Sequence, residues 1–188
     1  MGPPGAGKGT QAQLIAEHIG GVWYDTGAKI RERLARGEIS DEEYAKRGYA
    51  SGKLFDPNKT LNMVLGDIKE VFASKRSVVL SGSPRSINEA FGSGQGGLMH
   101  MLEDTYGKEN VLIFAIHIPI DESLKRNVGR KDGRKDDSLE TIKVRYEEQY
   151  EQSVLPTIEA MKIHGCKVID VDGMPSPEKI FKNIKKDL

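Results

Sequence analysis

Residues Gly2–Thr10 read GPPGAGKGT, and this glycine-rich run constrains the chain more than any other feature. Glycines let successive backbone N–H groups converge on phosphate oxygens, and the N-terminus of the helix that follows adds favourable dipole charge. A bare G-x-x-x-x-G-K arises by chance in about one such sequence in five, and Gly5, Gly9 and Thr10 lower that expectation to on the order of 10⁻⁴. Lys8 supplies a compact cation for a phosphoryl group. The run reads as a nucleotide phosphate site built from Gly5, Ala6, Gly7, Lys8, Gly9 and Thr10.

The 188 residues suit one domain with a core of its own. Because 28 Lys+Arg balance 28 Asp+Glu, no net charge draws the chain to nucleic acid or to an acidic membrane. Phosphate chemistry must therefore use locally clustered cations. No apolar run approaches the ~18 residues of a membrane span, and no basic-then-apolar signal is read. The single cysteine, Cys166, cannot form an internal disulfide, which favours a reducing compartment, and a cytoplasmic location is expected.

Two short apolar runs rich in β-branched residues, Ser77–Ser81 and Val111–Ile118, predict strands covered on both faces. Lys167–Val171 is a third strand and Val22–Asp25 a shorter fourth. Leu61, Leu65, Ile68 and Phe72 share one face of a helix over Thr60–Ser74, as Ile142, Tyr146, Tyr150 and Val154 do within Ser138–His164. Gln11–Ile19 is a further helix, stopped by Gly20-Gly21. Ala28–Arg36 and Asp41–Ser51 predict a surface helical hairpin, and Gly92–Gly97 a flexible loop. Strands alternating with helices imply parallel pairing through right-handed crossovers. The class is α/β. His18, His100, His117 and His164 show no metal-ligand spacing and read as surface or satisfied core residues. Cys166 reads as a small buried hydrophobe and Trp23 as core.

In its combined form, G-x-P-G-A-G-K-G-T, the phosphate loop resembles that of the adenylate kinase family of nucleoside monophosphate kinases. The likeness extends over nearly all of the chain. Tyr24–Arg31 (YDTGAKIR) is similar to the family's S-T-G-D-x-x-R segment, which implies that Thr26 and Arg31 contact the acceptor nucleotide. Ser51–Pro57 (SGKLFDP) resembles G-K-L-V-P-D and implies Lys53, Leu54 and Phe55 around the acceptor base and ribose; core packing is the other reading of Leu54 and Phe55. Ser81–Arg85 (SGSPR) resembles D-G-F-P-R and implies Gly82 and Arg85 at the acceptor phosphate. Arginine suits that role because its planar fork grips phosphate oxygens in pairs.

Arg126, Arg130, Arg134 and Arg145 make four of the ten arginines. Their stretch resembles the family's lid, which implies Arg126 and Arg130 at the donor phosphates and adenine, and Arg134 and Arg145 at the transferring group. Asp136 and Asp137 would hold arginines in place. The lid, about 129–135, is short, with no room for a zinc-binding insertion. A carbonyl near Pro175 is expected at donor adenine. The resemblance implies a P-loop sheet flanked by helices, a helical monophosphate-binding flap at about 25–55, and reversible phosphoryl transfer from ATP to AMP with Mg²⁺. A kinase preferring GMP, UMP or CMP, or a catalytically weak nucleotide-binding protein, stands as the alternative. A monomer is expected.

Three departures bear on that reading. Ala28 and Ser81 stand where the family has carboxylates that help hold hydrated Mg²⁺, with Asp25 as a partial substitute, so the direct metal ligands are unassigned. Glu89 stands where the family's glutamine meets acceptor adenine, and a carboxylate can only accept hydrogen bonds, which suits guanine better. Finally, Met1 directly precedes Gly2, where the relatives place a central first strand in a five-stranded sheet. About five or more apolar residues are expected upstream, with Ser77–Ser81 and Val111–Ile118 flanking a slot ~9–10 Å wide, twice the spacing of paired strands.

Overall fold

Four strands carry the fold of the computed structural model, which describes residues 1–40, 42, 54–92, 96–128 and 138–188. They are β1 (Val22–Asp25), β2 (Val78–Ser81), β3 (Leu112–His117) and β4 (Lys167–Asp172), each within a residue or so of its predicted run. Pairing is parallel, as the alternation with helices requires. β1 lies on β2 in a register from Val22 opposite Val78 to Asp25 opposite Ser81. β3 lies on β4 from Leu112 opposite Lys167 to His117 opposite Asp172.

These are two separate two-stranded sheets, and β2 is not paired with β3. A cavity of about 690 Å³ lies between their facing edges, lined by Val78, Val79 and Leu80 on one side and Leu112, Ile113 and Phe114 on the other. Met1 occupies its end: the terminal amine donates to the Phe114 carbonyl and the Ile116 N–H bonds the Met1 carbonyl at 2.8 Å. This one residue takes a parallel place opposite Ala115.

Helices cover both sheets. Helix α1 (Lys8–Ile19) ends at Gly20, as predicted, and α2 (Thr26–Ala35) starts where the Asp25 carboxylate caps the Ala28 N–H at 2.6 Å. The helix predicted over Thr60–Ser74 begins earlier and is divided. Asp56 accepts from Lys59 N–H at 2.9 Å and Pro57 follows, a strong start signal, so α3 spans Pro57–Asp67. It parts at Ile68 from α4 (Lys69–Ala73), while Asp67 turns to accept the Tyr24 hydroxyl at 2.7 Å and to pair with Arg33.

Next come α5 (Ile87–Phe91), α6 (Leu98–Tyr106) and α7 (Ile120–Val128). The predicted Ser138–His164 helix is continuous but changes pitch: α8 (Leu139–Val144), a wider π segment (Arg145–Val154), then α9 (Leu155–His164). Pro156 has no N–H to donate into the preceding turn. The inward stripe of Ile142, Tyr146, Tyr150 and Val154 is buried throughout, the last three clustered with Ala115 and Ile158. Helix α10 (Pro177–Ile184) packs Ile180 and Ile184 with Ile15, Ile116 and Val171. Trp23 departs from expectation: it is 40% exposed, on the outward side of β1, its indole N–H donating to Ser81 Oγ at 3.0 Å. A short edge strand leaves one face to solvent, which its neighbours in sequence cannot reveal. Among the described residues no helix is long and apolar enough to cross a membrane. The second helix of the predicted hairpin and the predicted lid lie outside the described residues, Glu42 excepted.

Candidate nucleotide site

The phosphate loop runs from the end of β3's partner residue Met1 into α1, and its shape depends on glycine. Gly2 has φ +144°, and a Cβ there would stand 2.3 Å from the Ile116 carbonyl oxygen. Gly5 has φ +74°, and its Cβ would meet Asn127 Nδ2 at 2.7 Å. Both positions require a residue without a side chain. The Ser123 hydroxyl donates to the Pro4 carbonyl at 2.7 Å, so α7 braces the loop from outside. Lys8 lies across its own loop, Nζ donating to the Pro3 carbonyl at 2.6 Å.

Two pockets meet at this loop and share Gly5, Gly7 and Gln11. On one side the large cavity opens from between the sheets to Lys8, Arg31, Arg85 and Arg145. These cations come from four separate segments: α1, α2, the loop after β2, and the π segment. On the other side a pocket of about 460 Å³ is lined by Thr10, Arg126, Met174 and Pro175. Arg126 is locked there, with Nε donating to Glu122 Oε1 at 2.6 Å and Nη1 to the Gly173 carbonyl at 2.9 Å. Its guanidinium holds the Glu122 carboxyl below its usual range.

The residues expected on the acceptor side form a linked set. Thr26 is buried and donates to Ser83 Oγ at 3.0 Å. Ser83 in turn donates to Glu89 Oε2 at 3.2 Å, and the same oxygen accepts the Arg85 N–H at 3.1 Å. Arg85 Nε donates back to the Gly82 carbonyl at 2.6 Å, while Ser153 Oγ holds the Arg85 carbonyl at 2.7 Å. Gly82 adopts φ +88°, and Ser83-Pro84 is a cis peptide. Burial pushes the Glu89 carboxyl above its usual value, an effect that the Arg85 charge and the two hydrogen bonds oppose.

Asp25 and Ser81 supply the oxygen side of the site. Ser81 Oγ donates to Asp25 Oδ2 at 3.1 Å, and that same oxygen would stand 3.8 Å from a Cβ on Gly9. A carboxylate and a hydroxyl facing the phosphate loop suit a hydrated Mg²⁺, a hard cation that prefers oxygen ligands. The departure at Ser81 is therefore coupled to Asp25 in space.

Other predicted residues fall elsewhere. Phe55 is buried with Ile30 and Ile39, the core packing that was its other reading, and Leu54 is half-buried beside it. Lys53, Arg130, Arg134, Asp136 and Asp137 lie outside the described residues. Sequence reasoning missed Ser83, which ties Thr26 to Glu89, and the carbonyls of Gly173 and Met174, which receive Arg126. A serine two places before Arg85 was the available signal for the first. The two carbonyls lie in the stretch where the resemblance implies a backbone carbonyl near Pro175, but their contact with Arg126 leaves no signal in sequence.

A family model described as an AAA domain matches residues 1–143. The adenylate kinase of Leptospira biflexa is 31% identical over 190 residues, covering 100% of this chain and 97% of that protein. That of Encephalitozoon cuniculi is 31% identical, covering 100% and 95%. That of Thermus thermophilus is 28% identical, covering 100% and 94%.

Proposed function

This chain belongs to the adenylate kinase family, a family of nucleoside monophosphate kinases, and we propose that it transfers the terminal phosphoryl group of ATP reversibly to AMP. The observation that carries the reading is the convergence of Lys8, Arg31, Arg85 and Arg145, from four separate segments, on one cavity beside the phosphate loop. The phosphoryl transition state spreads charge over its oxygens, and catalysis consists mainly of positioning and electrostatic stabilisation.

In this reading the smaller pocket takes the donor, with Arg126 and Pro175 at its adenine end and Gly5–Thr10 around the phosphates. Arg130 joins Arg126 at the donor and Arg134 joins Lys8, Arg85 and Arg145 at the transferring group. The large cavity takes the acceptor, with Thr26, Arg31, Gly82 and Arg85 at its phosphate and Lys53, Leu54 and Glu89 toward its base. Mg²⁺ bound with ATP supplies charge neutralisation between the phosphates, and Asp25 with Ser81 would hold its waters. Attack is in line, and no residue of the chain forms a covalent bond. A flap at about 25–55 and a lid at about 129–135 close over the site and exclude water, which limits ATP hydrolysis. The protein works as a monomer in the cytoplasm.

A second reading, preference for GMP, draws on Glu89, whose carboxylate matches the paired donors of guanine. One assay separates them: ADP formation from ATP with AMP, GMP, UMP or CMP in turn. Fastest turnover with AMP is expected. Faster turnover with another monophosphate reassigns the acceptor, and tight ATP binding without turnover of any of them overturns the kinase reading.

A further inference from the structure

At the end of β4 remote from the phosphate loop, three side chains with metal-ligating atoms come together: Glu103, His164 and Cys166. Cys166 immediately precedes the first residue of β4, whereas Gly173, which receives Arg126, follows its last. Six residues of strand separate the two places, about 20 Å at ~3.3 Å per residue. This cluster is therefore distinct from the nucleotide site, and it stands or falls independently of the kinase reading.

The local backbone explains the convergence. Gly165 ends α9 at φ +83°, a left-handed turn, its N–H bonding the Lys162 carbonyl at 3.0 Å. The next N–H, that of Cys166, bonds the Met161 carbonyl at 2.9 Å. This tight turn sets His164 and Cys166 on either side of a single glycine and directs both toward Glu103 on α6. His164 Nε2 stands 3.2 Å from Glu103 Oε2, and Cys166 Sγ stands 3.8 Å from Glu103 Oε1. All three ligand atoms lie within 4.8 Å of one another. The ring of Phe91 packs on His164 with centroids 5.0 Å apart, and Lys108 Nζ holds the His164 carbonyl at 2.6 Å.

Tetrahedral zinc, with bonds of ~2.3 Å to sulfur and ~2.0–2.2 Å to nitrogen and oxygen, separates its ligand atoms by about 3.3–3.7 Å. His164 and Cys166 stand 3.2 and 3.8 Å from the two different oxygens of Glu103, just outside that range on either side, so a small side-chain adjustment brings the three groups onto one cation. One thiolate, one imidazole and one carboxylate also match zinc in softness, and the thiolate disfavours Mg²⁺ or Ca²⁺. Two anionic ligands neutralise one divalent cation. Cys166 packs in the apolar cluster of Ala90, Met99, Val111, Ile113 and Met161, as the sequence predicts, yet its Sγ faces Glu103 Oε1, a contact that apolar packing does not call for.

We propose that Glu103, His164 and Cys166 form a binding site for a thiophilic divalent cation of the zinc class, with water at the fourth corner. The cation ties α6 to the turn between α9 and β4. Helix α6 also supplies Met99, Leu102 and Tyr106 to the wall of the cavity between the sheets, so binding stiffens that wall and raises thermal stability through linkage.

The test uses the full chain, stripped with a chelator and kept reduced, and titrated with Co²⁺ and then Zn²⁺. One equivalent of Co²⁺ is expected to give a near-ultraviolet thiolate charge-transfer band that Zn²⁺ abolishes by displacement. Cys166→Ser, almost the same in size, should lose the band, and both it and His164→Gln should bind Zn²⁺ at least tenfold more weakly. Zn²⁺ should raise Tm in the parent chain and not in Cys166→Ser. Should Cys166→Ser fail to fold by circular dichroism, His164→Gln at the surface carries the same comparison. Asp25→Asn should keep the band. Absence of the band from the parent, its loss in Asp25→Asn, or zinc affinity within threefold of the parent in both cluster variants each overturns the site.

Discussion

Glu89 and Arg85 are joined across one turn, the Oε2 atom of the buried carboxylate accepting the Arg85 backbone N–H at 3.1 Å. The Ser83 hydroxyl donates to the same oxygen at 3.2 Å, so a single atom fixes the loop from which the guanidinium projects. Neither bond uses Oε1. That oxygen is the one expected to meet an acceptor base. Glu89→Gln can keep an oxygen toward the loop while presenting an amide donor at the other position. The expected outcome is a rise in kcat/KM for AMP relative to GMP of about tenfold or ~1.4 kcal/mol, the lower part of the ~1–3 kcal/mol for an unmatched buried group. Steady-state kinetics with both acceptors measures it, and an unchanged or reversed ratio removes base reading from Glu89.

Arg85 itself is held by the backbone rather than by a carboxylate, Nε to the Gly82 carbonyl at 2.6 Å. Arg85→Ala keeps the backbone N–H that bonds Glu89 but removes the charge that offsets the burial of that carboxyl, so it should push the Glu89 pKa further up and cost about 1–3 kcal/mol of unfolding free energy. Loss of a charge-assisted contact to phosphate in a dehydrated site should lower kcat/KM by at least a hundredfold, or ~3 kcal/mol. Retention of kcat within threefold would show that Arg85 has no part in the chemistry.

Ser81 and Asp25 are in contact, and this changes what an acidic residue at Ser81 would do. Ser81→Asp sets two carboxylates side by side, each disfavouring the ionised form of the other. Without Mg²⁺ the variant should be less stable than the parent; with Mg²⁺ bound it should reach half-maximal rate at a lower Mg²⁺ concentration. Asp25→Asn should raise that concentration. A Mg²⁺ titration at constant ATP, paired with thermal unfolding, reads all of this. An upward shift in Ser81→Asp would exclude this pair from the metal's surroundings.

Much of this protein could be read locally. Gly2–Thr10 announced a phosphate loop because positive φ and close backbone approach are demands that glycine alone meets, and they act within a few residues. The Gly20 stop of α1 is local in the same sense, as is the inward stripe from Ile142 to Val154, and the Asp56-Pro57 start, which the apolar periodicity places at Thr60, is equally local. Each is set by backbone geometry that neighbouring residues impose on one another.

Only the tertiary structure decided which distant groups meet. Asp25 and Ser81 are brought together by β1 lying in register on β2. Cys166 and His164 reach Glu103 only because α9 ends on a left-handed glycine beside α6. Trp23 turned outward and Phe55 inward although both are large and aromatic, because the side of a strand or loop that faces the core is a property of the assembled layers. The sequence by itself determined the phosphate loop, the helices and the strand runs, through torsion angles and periodicity. The pairing of those strands into two sheets, and the sites formed where distant side chains converge, were decided by packing, which minimises exposed apolar surface over the whole chain at once.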